Sequence, residues 1–103
     1  MKIETHPDVY ELLQTFDKRT KGKFAQVIDT LIECGFRITM PHSKKIVNDL
    51  FELRISGSVE VRVFYTFYCD KAYLLYAFIK KSKKIPLKEM RIALRRKSEL
   101  YES

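Results

Sequence analysis

The chain has 103 residues, 46% of them hydrophobic and 13% aromatic, which suits one packed domain over residues 1–103 and argues against a disordered chain. Twenty lysines and arginines against 13 acids give a formal net charge of +7, the balance of a protein that meets an anionic partner such as nucleic acid or an acidic protein. No run approaches ~20 apolar residues, the opening "MKIETHPDVYELL" lacks a signal-peptide pattern, and two cysteines with two histidines make a zinc site improbable; the expectation is a cytoplasmic protein with reduced thiols, no membrane segment, no metal and no cofactor.

In chain order, "KIET" fits a short first strand. Residues 8–16, "DVYELLQTF", place Val9, Leu12, Leu13 and Phe16 on one helical face. Pro7 suits the first helical position, and Asp8 and Glu11 suit the positive end of the helix dipole. After the break "DKRTKG", a second helix is expected from about Thr20 to Cys34, with Phe24, Val27, Ile28, Leu31 and Ile32 inward and Gly35 as the terminating residue. The two form an expected antiparallel helical hairpin. Residues 36–49, "FRITMPHSKKIVND", read as an irregular connector broken by Pro41. Three strands follow over 50–55, 59–68 and 72–79, rich in β-branched and aromatic residues and separated by "SGS" and "CDK". Connections this short allow only antiparallel pairing. Past Pro86, Leu87, Met90, Leu94 and Tyr101 share one helical face, and Lys88, Arg91 and Arg95 share another. The fold class is therefore α+β: an N-terminal helical hairpin, an antiparallel β-meander of three to four strands and a C-terminal helix.

Strand register decides where the charges meet. A three-residue loop from Ser56 to Ser58 pairs Ile55 with Val59, Leu53 with Val61 and Phe51 with Val63. It also sets Arg54 against Glu60 and Glu52 against Arg62, and such opposite-charge pairs stabilise by roughly 0.2–1 kcal/mol each. In the second hairpin, pairing Tyr68 with Tyr73 sets Arg62 against Ile79 and carries Lys81 to the face of Arg54 and Arg62. By alternation Lys80 then points the other way, and Lys83 and Lys84 fall in the following loop. His42, in the connector, ranks as a distant second to Glu52 as a proton acceptor.

"LFELR" at 50–54, "VRVFY" at 61–65 and "FIKKSKKIP" at 78–86, followed by a basic helix, resemble the HigB-type branch of the RelE/ParE toxin superfamily. The resemblance covers nearly the whole chain and rests on the order and spacing of these segments. It implies a RelE-like fold and the toxin of a type II toxin–antitoxin pair: a ribosome-dependent mRNA endonuclease, metal-independent, that inhibits translation. The implied partners are the ribosome, its mRNA and a helix-turn-helix antitoxin of the HigA type. The positions matching the family are Arg54, Arg62, Lys80 and Lys81.

Cleavage of this kind attacks a phosphate with the neighbouring 2′-hydroxyl, so cations must hold the developing charge and a base must take a proton. The expected catalytic set is Arg54, Arg62, Lys81 and Glu52, the last as proton acceptor. Lys44, Lys45, Lys80, Lys83, Lys84, Arg91 and Arg95 are the expected RNA-binding residues. The chain departs from superfamily members that carry a tyrosine or histidine after the last strand, since "SKKIPL" offers neither. Two other functions stand beside this one: a ParE-like toxin that inhibits a protein such as DNA gyrase, and a plain RNA-binding module.

Overall fold

A computed structural model describes residues 1–84 and 86–102. Along the chain run β1 (Lys2–Thr5), α1 (Pro7–Gln14), α2 (Lys18–Cys34), a 3-10 turn (Gly35–Arg37), β2 (Ser43–Val47), β3 (Leu50–Ser56), β4 (Glu60–Tyr68), β5 (Lys71–Ile79) and α3 (Leu87–Glu102). The sheet order is β1-β5-β4-β3-β2. The class is α+β as expected, but the sheet has five strands and is mixed.

Local chemistry sets the helix ends. His6 caps α1, its Nδ1 accepting from the Asp8 amide at 3.1 Å, and Pro7 stands at the first helical position. Asp17 caps α2 by accepting from the Thr20 amide at 3.0 Å. Gly35, with φ at 55°, ends α2 in a conformation that a side chain would oppose. α1 lies against β5 and α2 against β3, so the two helices are seated on different strands while sharing one core cluster. Ile32, expected inward, is 40% exposed.

One sheet face packs Leu53, Ile55, Val61, Val63, Tyr65 and Leu74 against Val9, Phe24, Val27 and Leu31 of the two helices. The other packs Leu50, Phe64 and Leu75 against Ala93, Met90 and Leu94 of α3. Leu87, expected on that helix face, is 56% exposed. α3 is tethered by Arg96, which donates to the Leu75 carbonyl at 2.8 Å, pairs with Asp8 and lies 5.4 Å from the Tyr76 ring centre. No helix among the described residues is long and apolar enough to cross a membrane.

Three sheet features depart from expectation. β1 does form, and it pairs parallel with β5, a partner distant enough in sequence for two helices to make the crossover. Part of the supposed irregular connector is β2, an edge strand on β3. Its lysines protect an edge that would otherwise template aggregation, and its Ser43 hydroxyl is bonded to the buried Tyr65 hydroxyl. The β3–β4 hairpin is shifted by two residues: Ile55 pairs with Val61, Leu53 with Val63 and Arg54 with Arg62. This leaves Gly57 to Val59 as the loop and sets fully buried Val61 opposite fully buried Ile55.

A long-range contact holds that loop. The Ser58 amide donates to Thr20 Oγ1 at 3.0 Å, and the Ser58 hydroxyl donates to Asp17. A Cβ on Gly57 would lie 2.7 Å from the Thr20 Cα. The turn is therefore clamped onto the start of α2, a contact the hairpin's own sequence does not contain.

The β4–β5 hairpin turns on Cys69 and Asp70, both with positive φ, so Tyr68 pairs with Lys71 and not with Tyr73. A bulge between Phe64 and Tyr65 then absorbs one extra residue of β5. Leu74 enters one core and Leu75 the other. Beyond the bulge Arg62 pairs with Phe78.

Candidate functional site

The described registers lay three rows of side chains across the α3 side of the sheet. The first is Lys44, Glu52, Phe64 and Tyr76. The second begins at His42, whose carbonyl accepts from the Arg54 amide at 2.9 Å, and continues through Arg54, Arg62 and Phe78. The third is Ser56, Glu60 and Lys80, the Lys80 amide donating to the Glu60 carbonyl at 2.8 Å. Arg54, Arg62, Glu52 and Glu60 share a face as expected, because a two-residue slip preserves the faces. The partners are different: the arginines oppose each other, where the sequence suggested that each opposes an acid.

Like charges directly opposite are unfavourable in a sheet. Two carboxylates offset this. Glu52, 5% exposed, has its Oε1 3.3 Å from Arg54 Nε and 3.9 Å from Arg62 Nε. Glu60 Oε1 lies 3.5 Å from Arg62 Nη1 and accepts from the Ser56 hydroxyl at 3.0 Å. Arg62, 8% exposed, also donates from Nη1 to the Val61 carbonyl at 3.1 Å. Its Nε is buried with no hydrogen-bond partner among the described residues. Glu52 thus engages the inner Nε side of the pair, and among the described residues the Arg54 Nη atoms have no protein partner. Glu52, expected as a proton acceptor, lies within ion-pair distance of both arginines.

The expected position of Lys81 is corrected. The bulge shifts β5 by one residue relative to the assumed register, and a one-residue shift exchanges the faces. Lys80 therefore stands on the arginine face, and Lys81 does not share it.

Two cavities flank Arg54, which lines both. One, of about 350 Å³, is walled by Lys44, Lys45, Glu52, Lys80, Lys83 and Lys84 over an apolar floor of Ile46, Val47, Phe64, Pro86 and Met90. Five of the expected RNA-binding lysines thus converge. The other, of about 510 Å³, is lined by Arg62, His42, Ser56 and Glu60 together with Lys23, Gln26, Val27 and Thr30 of α2. Arg91 and Arg95 are exposed on α3 and line neither cavity.

Sequence reasoning ranked His42 low and passed over Lys23, Gln26 and Thr30. His42 joins the row only because β2 pairs with β3, and β2 is obscured by Pro41 and two lysines. The β-branched pair Ile46 and Val47 was its one strand signal. Among the described residues no group of three or more His, Cys, Asp or Glu side chains is placed to hold a metal ion.

The family model for phage-derived Gp49-like proteins matches residues 11–98, which include β2 to β5, all of α2, half of α1 and most of α3. No curated protein matches the chain.

Proposed function

The chain belongs to the phage-derived Gp49-like family, and from that premise we propose that it is the toxin of a toxin–antitoxin pair, an endoribonuclease that cuts mRNA on the ribosome. The observation that carries this reading is the opposed pair Arg54 and Arg62. Glu52 and Glu60 hold the two guanidinium groups in place, and among the described residues the Arg54 Nη atoms have no protein partner, which leaves donors for an anion. A phosphoryl group in flight carries such charge, and preorganised guanidinium groups stabilise it without reorganising.

The step needs no redox partner. The 2′-oxygen of one nucleotide attacks its own 3′-phosphate, and the bond from phosphorus to the next 5′-oxygen breaks. The products are a 2′,3′-cyclic phosphate and a 5′-hydroxyl. The attacking oxygen loses a proton and the leaving oxygen gains one, on opposite sides of the phosphorus. His42 lines the α2-side cavity and Lys80 the lysine cavity, so the two flank Arg54 from opposite sides. We assign His42 as the proton acceptor, since it lines the cavity with Arg54 and Arg62 and a neutral imidazole carries a ring nitrogen that can take a proton. Lys80 takes the place first given to Lys81, binding the phosphate and supplying the proton to the leaving oxygen. The lysine cavity grips the strand downstream of the cut.

A helix-turn-helix antitoxin is the proposed protein partner, with the excess of positive charge as the surface it neutralises. Translating ribosomes are the proposed setting, because positioning by a large partner supplies much of what a small open site lacks.

Induction of the chain alone in a bacterial host, with mapping of RNA ends, tests this. The expected result is new 5′-hydroxyl ends confined to translated reading frames. Intact messages overturn the nuclease reading. A DNA-damage response accompanying intact messages would favour a gyrase-directed toxin, and salt-sensitive RNA binding without growth arrest would favour a binding module.

A further inference from the structure

The two cavities beside Arg54 differ in a way that bears on substrate choice. Among the described residues, every neutral side chain lining the lysine cavity is apolar. Such a surface stacks a base and holds its phosphate, and it does so for any base. The α2-side cavity instead carries neutral groups that both give and accept hydrogen bonds: the Gln26 amide and the Thr30 and Ser56 hydroxyls. Among the described residues the Gln26 amide has no hydrogen-bond partner, while its backbone carbonyl accepts from the Thr30 hydroxyl at 3.0 Å. Buried Val27 lies in the same wall. Arg62, whose Nε faces Glu52 and whose Nη1 lies 3.5 Å from Glu60 Oε1, lines this cavity together with Arg54 and Lys23, so its wall carries cations that an anionic group can meet. At about 510 Å³ it falls within the usual size of a ligand pocket.

We propose that this cavity holds the nucleotide immediately 5′ of the cut, and that Gln26, on α2, reads the hydrogen-bonding edge of its base. The inference rests on the nuclease reading and on His42 as the group that accepts the 2′-hydroxyl proton. The nucleotide carrying that hydroxyl must then sit on the His42 side of Arg54, which is the side of Gln26. An amide presents a donor and an acceptor side by side, the pattern by which glutamine discriminates base edges, and bases splayed from a single strand offer those edges freely.

The test is the base distribution at mapped cuts after brief induction of the full chain, wild type against Gln26→Leu. Gln26 is exposed on the helix and leucine is a good helix former, so the fold is retained. The wild type is expected to favour some bases over others at the position 5′ of the cut. Gln26→Leu should reduce that preference by about tenfold. Gln26→Glu, which replaces the donor by an acceptor, should favour a different base. Unchanged preference in Gln26→Leu, or no preference at that position in the wild type, overturns the assignment of Gln26 while the nuclease reading stands. Absence of cuts by the wild type overturns both.

Discussion

At the residue scale, the distinctive feature is a pair of arginines that the sheet forces together. Opposite charges were expected across β3 and β4; the four residues share a face in a shifted register, in which the expected pair of Glu52 with Arg62 forms while Arg54 meets Glu52 in place of Glu60. The faces were legible because Leu53, Ile55, Val61 and Val63 alternate with Glu52, Arg54, Glu60 and Arg62 whichever even slip the hairpin takes. The slip itself was not legible, since the Asp17 and Thr20 contacts that fix the turn lie about forty residues earlier in the chain. Glu52 is the residue whose meaning changed most. Buried between two guanidinium groups, it balances them. Glu52→Gln leaves two buried-side cations facing each other and should lower stability by about 3 kcal/mol, the usual cost of breaking such a pair. A urea midpoint that stays at the wild-type value would show that Glu52 does not hold the arginines.

At the scale of elements, the clamp between the β3–β4 turn and the start of α2 organises the site. It sets the register that opposes Arg54 to Arg62, and it holds α2 beside the larger cavity. Gly57→Ala brings a Cβ to within 2.7 Å of the Thr20 backbone. The expected loss is about 1–3 kcal/mol, measurable as a lower denaturant midpoint with an unchanged slope. Asp17 makes the same junction sensitive to acid. Hydrogen bonds from Ser58 and Thr20 hold its carboxyl at about 2, below the ordinary 3.8. A depressed folded-state pKa contributes stability that is present above the ordinary value and is lost as pH falls through the folded one. Unfolding titrations between pH 5 and pH 2 should therefore show an acid-dependent component in the wild type that is absent from Asp17→Asn. Equal slopes in the two proteins over that window would contradict the capping role. β2 and the β5 bulge are the elements that sequence reasoning missed. A lysine-rich edge strand behind Pro41 resembles a loop, and "AYLLYAFI" is too uniformly apolar to mark where an extra residue is absorbed. That single residue decides whether Lys80 or Lys81 stands with the arginines.

At the scale of the molecule, helices cover parts of both sheet faces, and a basic surface lies where α3 leaves off. The net charge of +7 and the five lysines around one cavity predict RNA binding governed by phosphate contacts. For about five such contacts, raising salt from about 50 to 200 mM should weaken binding of a short single strand about a hundredfold. Binding that is flat across that range would place the affinity elsewhere. The α+β class, α1, α2, the strands β3 to β5 and the C-terminal helix followed from periodicity and turn chemistry. The mixed sheet and the second cavity did not, because each depends on contacts between segments far apart in sequence: β1 with β5, and α2 with the His42 segment.

The central claim is that Arg54, Arg62 and Lys80 meet on one face to handle a scissile phosphate. Single-turnover cleavage of a translated mRNA on purified ribosomes, comparing Arg54→Ala, Lys80→Ala and Lys81→Ala with the wild type, tests it most directly. Arg54 is half-buried and Lys80 and Lys81 lie at the end of β5, so circular dichroism is expected to show all three folded. The predicted result is a fall of about 10²-fold or more for Arg54→Ala, a clear loss for Lys80→Ala, and a rate near wild type for Lys81→Ala. A wild-type rate in folded Arg54→Ala, or a larger loss in Lys81→Ala than in Lys80→Ala, would contradict it.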